Sequence, residues 1–123
     1  MPRYSYLDHP KPIPFAHRGG ASDQPENTLP AFQRAVDLGY RYLETDVHVT
    51  ADGRLVAFHD EDLSRTTGRT GLIHDLPWNE VRTALVGGRE PIPLLEDVLG
   101  SFPEARLNID CKSDSAVEPL VSV

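Results

Sequence analysis

The sequence has a single cysteine and no long apolar run. One cysteine, Cys111, cannot form an intrachain disulfide, so nothing requires an oxidising compartment and we expect a cytoplasmic location. No stretch approaches the roughly 20 apolar residues that a membrane-spanning helix needs. Residues 1–14 carry charges and prolines where a signal peptide has its apolar segment. The sequence therefore predicts a soluble chain with no membrane span and no export signal.

Positive charge is also scarce. Lys and Arg number 12 against 19 Asp and Glu, which gives a formal net charge of −7. Nucleic acids and anionic membranes bind clustered Lys and Arg, so this balance argues against both as partners. The acidic excess is compatible with a cation site, and the 39% of hydrophobic residues can form a packed core.

What is present is an alternation of strand and helix patterns. We predict strands at 13–17, 41–50 and 106–112, and a helix from the capping residue Thr28 to Leu38, followed by Gly39. Between them we expect a polar loop at 60–75, a helix from Asp75 to about Val86 and a shorter helix at 92–99. A further helix is expected to begin at Ser113. This alternation is typical of βα units around a parallel sheet.

A hairpin is predicted after the 41–50 strand. Asp52-Gly53 separates that strand from the apolar run Leu55–His59, which is the pattern of a two-residue turn. Counting back from such a turn places Asp46 opposite His59. Directly opposed residues share one face of the ladder, so we expect these two side chains to lie close together.

Two carboxylates occupy the polar face of the 41–50 strand. Glu44 and Asp46 are two residues apart, so both project from one face, about 7 Å apart along the strand. That separation allows both to bind one hard cation. The alternative is an exposed polar edge on an amphipathic strand, because most carboxylates are simply solvated.

Two histidines, His17 and His59, end predicted strands. Catalytic groups of parallel α/β folds gather at the C-terminal ends of strands, and imidazole is the usual acid or base near neutral pH. A structural role is the better interpretation of either histidine alone, whereas two beside a carboxylate pair favour acid and base catalysis. His9, His48 and His74 are expected to be solvated.

Two basic residues are candidates for binding an anion. Arg18 precedes two glycines, where backbone amides and a guanidinium can approach a phosphate closely. Lys112 shares a strand face with Asp110 and would add a second positive charge. The alternative for Lys112 is a strand-end lysine that reaches solvent.

Six short motifs follow one another along residues 13–112. They are His17-Arg18-Gly19-Gly20, Pro25-Glu26-Asn27-Thr28, Glu44-x-Asp46-Val47, Thr50-x-Asp52-Gly53, His59-Asp60 and Asn108-Ile109-Asp110-x-Lys112. In this order and spacing they resemble the glycerophosphodiester phosphodiesterase family. The resemblance implies a TIM-type barrel that hydrolyses glycerophosphodiesters, such as glycerophosphocholine, to sn-glycerol 3-phosphate and an alcohol. It also implies a divalent cation, Ca2+ or Mg2+, and a small-molecule substrate drawn from glycerophospholipid metabolism.

The resemblance assigns roles to seven residues. They are the metal ligands Glu44, Asp46 and Asp110, the acid and base His17 and His59, and the phosphate-binding Arg18 and Lys112. Asp110 stands where the family most often has glutamate. Its side chain is one methylene shorter, so we expect it to coordinate through water or after a shift of the strand.

The fold class expected is α/β, as the N-terminal part of a (β/α)8 TIM-type barrel. A whole barrel usually needs about 250 residues, and this sequence has 123. We therefore interpret residues 1–123 as the N-terminal portion of one truncated domain, with a short insertion at about 60–90. Two alternatives are a fragment that only binds a metal or a partner, and a related phospholipase that acts on intact lipid.

Overall fold

The computed structural model describes residues 15–19, 25–112, 116 and 119–120. Its strands are β1 (Phe15–Ala16), β2 (Tyr42–Val49), β3 (Leu55–Ala57), β4 (Leu85–Val86), β5 (Glu90–Pro91) and β6 (Arg106–Cys111). Its α-helices are α1 (Leu29–Asp37), α2 (Ser64–Thr67), α3 (Trp78–Val81) and α4 (Leu95–Ser101). Short 3-10 turns cover His17–Gly19 and Ile73–Asp75. The start of the first predicted strand and most of the helix predicted from Ser113 lie outside the described residues.

Strand β2 is the centre of the main sheet. It pairs in parallel with β1 and β6 and antiparallel with β3. Tyr42 and Val47 each have partners on both sides, so β1 and β3 share one edge of β2 and β6 occupies the other. Both faces of β2 are also buried, since only Glu44 along this strand is more than marginally accessible. The polar face of β2 therefore points into the protein rather than to solvent.

Helix α1 forms where its capping pattern predicts. Its N-cap Thr28 accepts a hydrogen bond from the Ala31 amide at 3.4 Å, and Gly39 follows the helix with a φ of 96°. Phe32 is fully buried and its ring centroid lies 6.2 Å from that of Phe102. Burying such a side chain contributes about 1.5–3 kcal/mol, which fixes α1 against the sheet.

The β2–β3 hairpin differs from the prediction by one residue. The observed pairs are Val47 with Ala57 and Val49 with Leu55, so the loop has three residues, 51–53, rather than two. Gly53 adopts a φ of 85°, as the last residue of a three-residue hairpin loop requires. The predicted pairing of Asp46 with His59 is therefore wrong, because the Phe58 amide donates to the Asp46 carbonyl at 2.9 Å.

The segment between β3 and α4 contains more structure than a polar loop. Helix α2 lies within the predicted loop, and α3 ends at Val81 rather than Val86 because Leu85–Val86 pairs with Glu90–Pro91. Helix α4 begins at Leu95 because the residue before it, Leu94, bridges to Val56 of β3. The segment has its own apolar cluster, made of Val56, Phe58, Leu63, Ile73, Val81, Ala84, Val86, Ile92 and Leu94. It is therefore anchored directly on the hairpin.

Candidate active site

The turn after β1 places three predicted residues together. Arg18 adopts a left-handed backbone (φ 50°), and its amide donates to Glu44 Oε2 at 2.9 Å. The exposed His17 lies with Nε2 3.6 Å from the same oxygen. Gly19 also has positive φ (73°), and a Cβ there would stand 2.8 Å from the Phe32 ring. Close packing on α1 thus shapes the turn that brings His17 and Arg18 to Glu44.

The polar face of β2, together with the facing residues of β6, forms what we call the carboxylate face: Glu44, Asp46, Asp110 and Lys112. Parallel pairing sets Asp46 beside Asp110. Asp46 is only 1% exposed. Burial raises the pKa of Glu44 above its usual value, and the neighbouring Asp46 carboxylate adds to the rise although the Arg18 amide opposes it. Two acids thus face each other where negative charge is poorly solvated.

Lys112 joins the remaining acids of the carboxylate face. Its Nζ lies 2.8 Å from Asp110 Oδ2 and 3.6 Å from Asp46 Oδ1. The hydrogen bond to Asp110 raises the pKa of Lys112, and the charges of both acids contribute further. Lys112 is therefore held over the face by two carboxylates.

Asn27 was not singled out from the sequence, yet it positions the buried carboxylate. It is 1% exposed, with a positive φ of 56° that asparagine tolerates better than most residues. Its Nδ2 donates to Asp46 Oδ2 at 3.3 Å, and its Oδ1 accepts from the Thr45 hydroxyl at 2.9 Å. The residue preceding the N-cap of α1 thus orients Asp46 as well as ending a turn.

His59 lies among charged residues that we call the Arg65 cluster: Glu26, His59, Asp60 and Arg65. His59 Nδ1 is 2.6 Å from Asp60 Oδ1, and His59 Nε2 is 2.9 Å from Arg18 Nη2. A guanidinium can only donate, so the network assigns the imidazole proton to Nδ1 and the lone pair to Nε2. His59 thus reaches the site through Arg18, and not through the predicted contact with Asp46.

Arg65 dominates the electrostatics of its cluster. It hydrogen bonds to both Glu26 oxygens at 2.9 Å and to Asp60 at 2.6 and 3.1 Å. These bonds lower the pKa of Asp60 to about 2 against the opposing effect of burial, and His59 adds to the lowering. Burial also opposes ionisation of Glu26, but Arg65, with smaller contributions from Arg18 and His59, lowers its pKa. Both acids are therefore held as carboxylates.

The predictions for the other three histidines have different outcomes. His48 was expected to be solvated, but it is 4% exposed and its Nε2 donates to the His59 carbonyl at 2.9 Å, so that prediction is wrong. The reason is that β2 is enclosed on both faces. His74 is exposed beside Asp75 at 3.4 Å, as expected. His9 lies outside the described residues.

All seven predicted site residues are linked by contacts. His17 and Arg18 meet at Glu44, Glu44 adjoins Asp46, Asp46 meets Lys112 and Asp110, and Arg18 reaches His59. Within the described ranges, no group of three or more His, Cys, Asp or Glu side chains is arranged to hold a metal. Glu44 and Asp46 would supply two hard oxygen ligands and excess negative charge to a cation. Asp110 is directed toward Lys112 instead.

Comparison with known proteins identifies the family of this chain. Residues 17–121 match the glycerophosphoryl diester phosphodiesterase family. The chain belongs to that family. A probable glycerophosphodiester phosphodiesterase 2 of Mycobacterium tuberculosis is 46% identical over 123 residues, covering 99% of this chain and 47% of the relative. A lysophospholipase D of Homo sapiens is 40% identical, covering 83% of this chain and 37% of the relative. The chain thus spans less than half the length of these two members of the family.

Solved structures of the glycerophosphodiester phosphodiesterase family share the fold. A phosphodiesterase of Oleispira antarctica, solved with its product sn-glycerol-3-phosphate, superposes with a TM-score of 0.81 and 33% identity. The match covers 90% of this chain and 49% of that one. The α/β fold is accordingly part of a TIM-type barrel, as predicted. Among the described residues no helix is long and apolar enough to cross a membrane.

Proposed function

We propose that this chain carries the site for hydrolysis of glycerophosphodiesters to sn-glycerol 3-phosphate and an alcohol. One observation carries the proposal: Arg18 connects the two predicted catalytic histidines. Its backbone amide shares Glu44 Oε2 with His17, and its guanidinium contacts His59. An anion binding group between an exposed imidazole and a partly buried one is the arrangement that phosphodiester cleavage needs.

Arg18 is suited to the phosphate. Its Nε is buried and has no hydrogen-bond partner in the described part of the chain. A buried donor without a partner costs free energy, which a phosphate oxygen would recover. Lys112, directly after β6, supplies a second positive charge, because its flexible ammonium can turn from the acids toward a developing negative charge.

The two histidines differ in their surroundings. His59 carries its proton on Nδ1 toward Asp60, so its Nε2 can accept a proton once the Arg18 guanidinium moves to a phosphate. His17 is exposed on the other side of Arg18, with 72% of its side chain accessible to solvent. We propose that one takes the proton of the nucleophile and the other protonates the leaving alcohol oxygen as its bond to phosphorus breaks. The nucleophile is water, or it is a hydroxyl of the substrate's glycerol, in which case water opens the resulting cyclic phosphate in a second step.

The carboxylate face fits a divalent cation. Glu44 and Asp46 would hold Ca2+ or Mg2+, with Asp110 available as a third oxygen donor. The cation would supply Lewis-acid charge to a phosphate oxygen. Support comes from the raised pKa of Glu44, to which burial contributes most and the like charge of Asp46 adds. A cytoplasmic site of action stays a prediction that rests on the single cysteine.

A second candidate substrate is a lysophospholipid. The human relative is a lysophospholipase D, and a lysophospholipid presents the same phosphodiester with one acyl chain attached. The proposed assay therefore compares glycerophosphocholine with lysophosphatidylcholine. If lysophosphatidylcholine is turned over faster, it replaces glycerophosphocholine as the proposed substrate. The proposed roles of the residues stay the same.

The test measures release of the alcohol from glycerophosphocholine with Ca2+ or Mg2+, and again with a chelator. We expect chelator-sensitive turnover, and a loss of about 10²–10⁴-fold for His17→Ala and for His59→Ala. His74→Ala, an exposed histidine away from the site, is the matched control and should leave turnover unchanged. Turnover that persists in either site variant removes that residue from the scheme. A folded chain with no turnover supports the alternative that it only binds a metal or a partner.

A further inference from the structure

We propose that Arg65 is a positioning residue that fixes His59 through Asp60, and that the segment between β3 and α4 serves to present it. The inference rests on the proposed function for its kinetic consequences. Its structural content, the orientation and tautomer of His59, can be measured without turnover.

The contacts form a relay with a defined direction. Arg65 Nε and Nη2 bind the two oxygens of Asp60 at 2.6 and 3.1 Å. Asp60 Oδ1 accepts the Nδ1 proton of His59 at 2.6 Å. Holding that proton on Nδ1 directs the Nε2 lone pair of His59 toward Arg18, 2.9 Å away. An arginine that touches neither imidazole nor substrate thus sets which nitrogen of His59 can accept a proton.

The same guanidinium joins two separate parts of the chain. Its remaining contacts, both at 2.9 Å, are to the two oxygens of Glu26 in the turn before α1. Glu26 in turn lies 3.5 Å from Arg18. Arg65 therefore fixes the spacing between the turn that carries Asn27 and the residues that follow β3. A guanidinium suits this role because its planar fork can bind two carboxylates at once.

The segment around Arg65 holds its backbone in place. The Ser64 amide at the start of α2 donates to Asp62 at 2.6 Å, and the Thr67 hydroxyl donates to the carbonyl of the fully buried Leu63 at 2.6 Å. The Gly87 amide donates to the Thr66 carbonyl at 2.8 Å, which ties α2 to the β4–β5 hairpin. The apolar cluster of this segment therefore supports a single helical turn that directs Arg65 back to the site.

A simple surface ion pair would not have this arrangement. Exposed pairs usually contribute little and leave their partners mobile. Arg65 is about half exposed, but the carboxylates of Glu26 and Asp60 are only 16% and 24% exposed and each accepts two of its hydrogen bonds. Removing Arg65 would leave two partly buried acids facing each other, so Asp60 would be free to turn away from His59.

The test records the 15N–1H spectrum of the His59 imidazole in the full 123-residue chain, for the wild type, Arg65→Gln and Arg65→Lys. The wild type should show the Nδ1-protonated tautomer. Arg65→Gln should show a mixture of tautomers, because glutamine cannot bind both carboxylates. Arg65→Lys should fall between the two, since one ammonium replaces a two-sided fork. Arg69→Gln is the matched control: Arg69 is also in this segment, but binds Glu80 and Thr83.

The same chain of hydrogen bonds predicts an effect of Arg65 on turnover. In glycerophosphocholine hydrolysis, Arg65→Gln should lower kcat by about 10- to 100-fold, as misplacement of a catalytic group does, with KM changed less than about threefold. An unchanged His59 tautomer in Arg65→Gln and Arg65→Lys overturns the positioning role. If Arg65→Gln fails to fold, an unchanged spectrum in the folded Arg65→Lys with unchanged kcat overturns it equally. A chain without turnover contradicts the proposed function alone, because the spectrum still decides the role of Arg65.

Discussion

The two sides of the site differ in how completely their charges are paired. In the Arg65 cluster, two carboxylates share one guanidinium that binds both, and Arg18 adjoins them. On the carboxylate face, Asp46 and Asp110 share the single ammonium of Lys112, and Glu44 accepts from the Arg18 amide and lies 3.6 Å from His17. One side therefore has its charges paired without a ligand and holds a geometry, whereas the other carries more negative than positive charge and can receive a cation. The hydrogen bonds from Arg65 lower the pKa of Asp60, whereas burial, with a contribution from the Asp46 carboxylate, raises the pKa of Glu44.

The largest effect should come from supplying the missing charge. With Ca2+ or Mg2+ at about 100 times its dissociation constant, binding should raise the free energy of unfolding by about 2.7 kcal/mol, or the Tm by roughly 10 °C. Asp46→Asn and Glu44→Gln should each remove most of that rise. Asp75→Asn, which changes an exposed acid elsewhere, should keep it. A rise of the same size in Asp46→Asn would show that the cation binds away from the carboxylate face.

A smaller effect should appear when acid breaks the Arg65 cluster. The pKa of Asp60 falls from an ordinary 3.8 to about 2 in the folded chain. A carboxylate lowered by folding stabilises the protein above its unfolded pKa, and this stabilisation is lost as the pH falls from about 5 to about 2. Because Arg65 is half exposed, we expect a loss of about 1–2 kcal/mol. Urea unfolding at pH 7 and pH 3 measures it.

The controls for the acid experiment isolate Asp60. Between pH 7 and pH 3, the free energy of unfolding of Asp60→Asn should fall by about 1–2 kcal/mol less than that of the wild type, since asparagine has no proton to gain. Asp37→Asn, at the exposed end of α1, should leave the pH dependence as in the wild type. Equal slopes in Asp60→Asn and the wild type would mean that the Arg65 cluster does not hold Asp60 ionised.

The smallest effect tests the repulsion on the carboxylate face. In the presence of chelator, Glu44→Gln should raise the free energy of unfolding by about 0.5–1 kcal/mol, because it removes a charge beside the buried Asp46 while the amide oxygen still accepts from Arg18. Glu104→Gln, an exposed residue, should change it by less than about 0.5 kcal/mol. Chemical unfolding measures both. A destabilised Glu44→Gln would show that the Arg18 contact outweighs the repulsion.

The sequence predicted the elements that have strong local signals. Helix α1 has its capping threonine and apolar spacing, and β2 and β6 have clear alternation, so their bounds agree with the prediction to within a residue or two. The residues at strand ends were found by the same reasoning, because parallel strands bring those ends together. Periodicity could not show that the polar face of β2 is enclosed, so the burial of His48 was missed.

The remaining differences come from pairings that a helical or polar sequence pattern does not show. Arg65 lies 39 positions from Glu26, and nothing in the local pattern of a polar, threonine-rich segment indicates that they meet. The prediction extended the short helix α3 too far, because the helical pattern continues to Val86. In the structure, Val86 pairs with Glu90 and forms a hairpin. A tertiary contact decides the first case, and hairpin pairing overrides helix propensity in the second.

The three-residue loop of the β2–β3 hairpin also bears on how this protein can vary. Surface loops usually tolerate insertions and deletions because they run through solvent. Here the loop length decides which of two adjacent aromatic residues is opposite Asp46: Phe58, which enters an apolar cluster, or His59, which turns toward Arg18. A two-residue turn in the same sequence would pair Asp46 with His59 in place of Phe58. We expect this exposed loop to accept only those substitutions that keep its three-residue conformation.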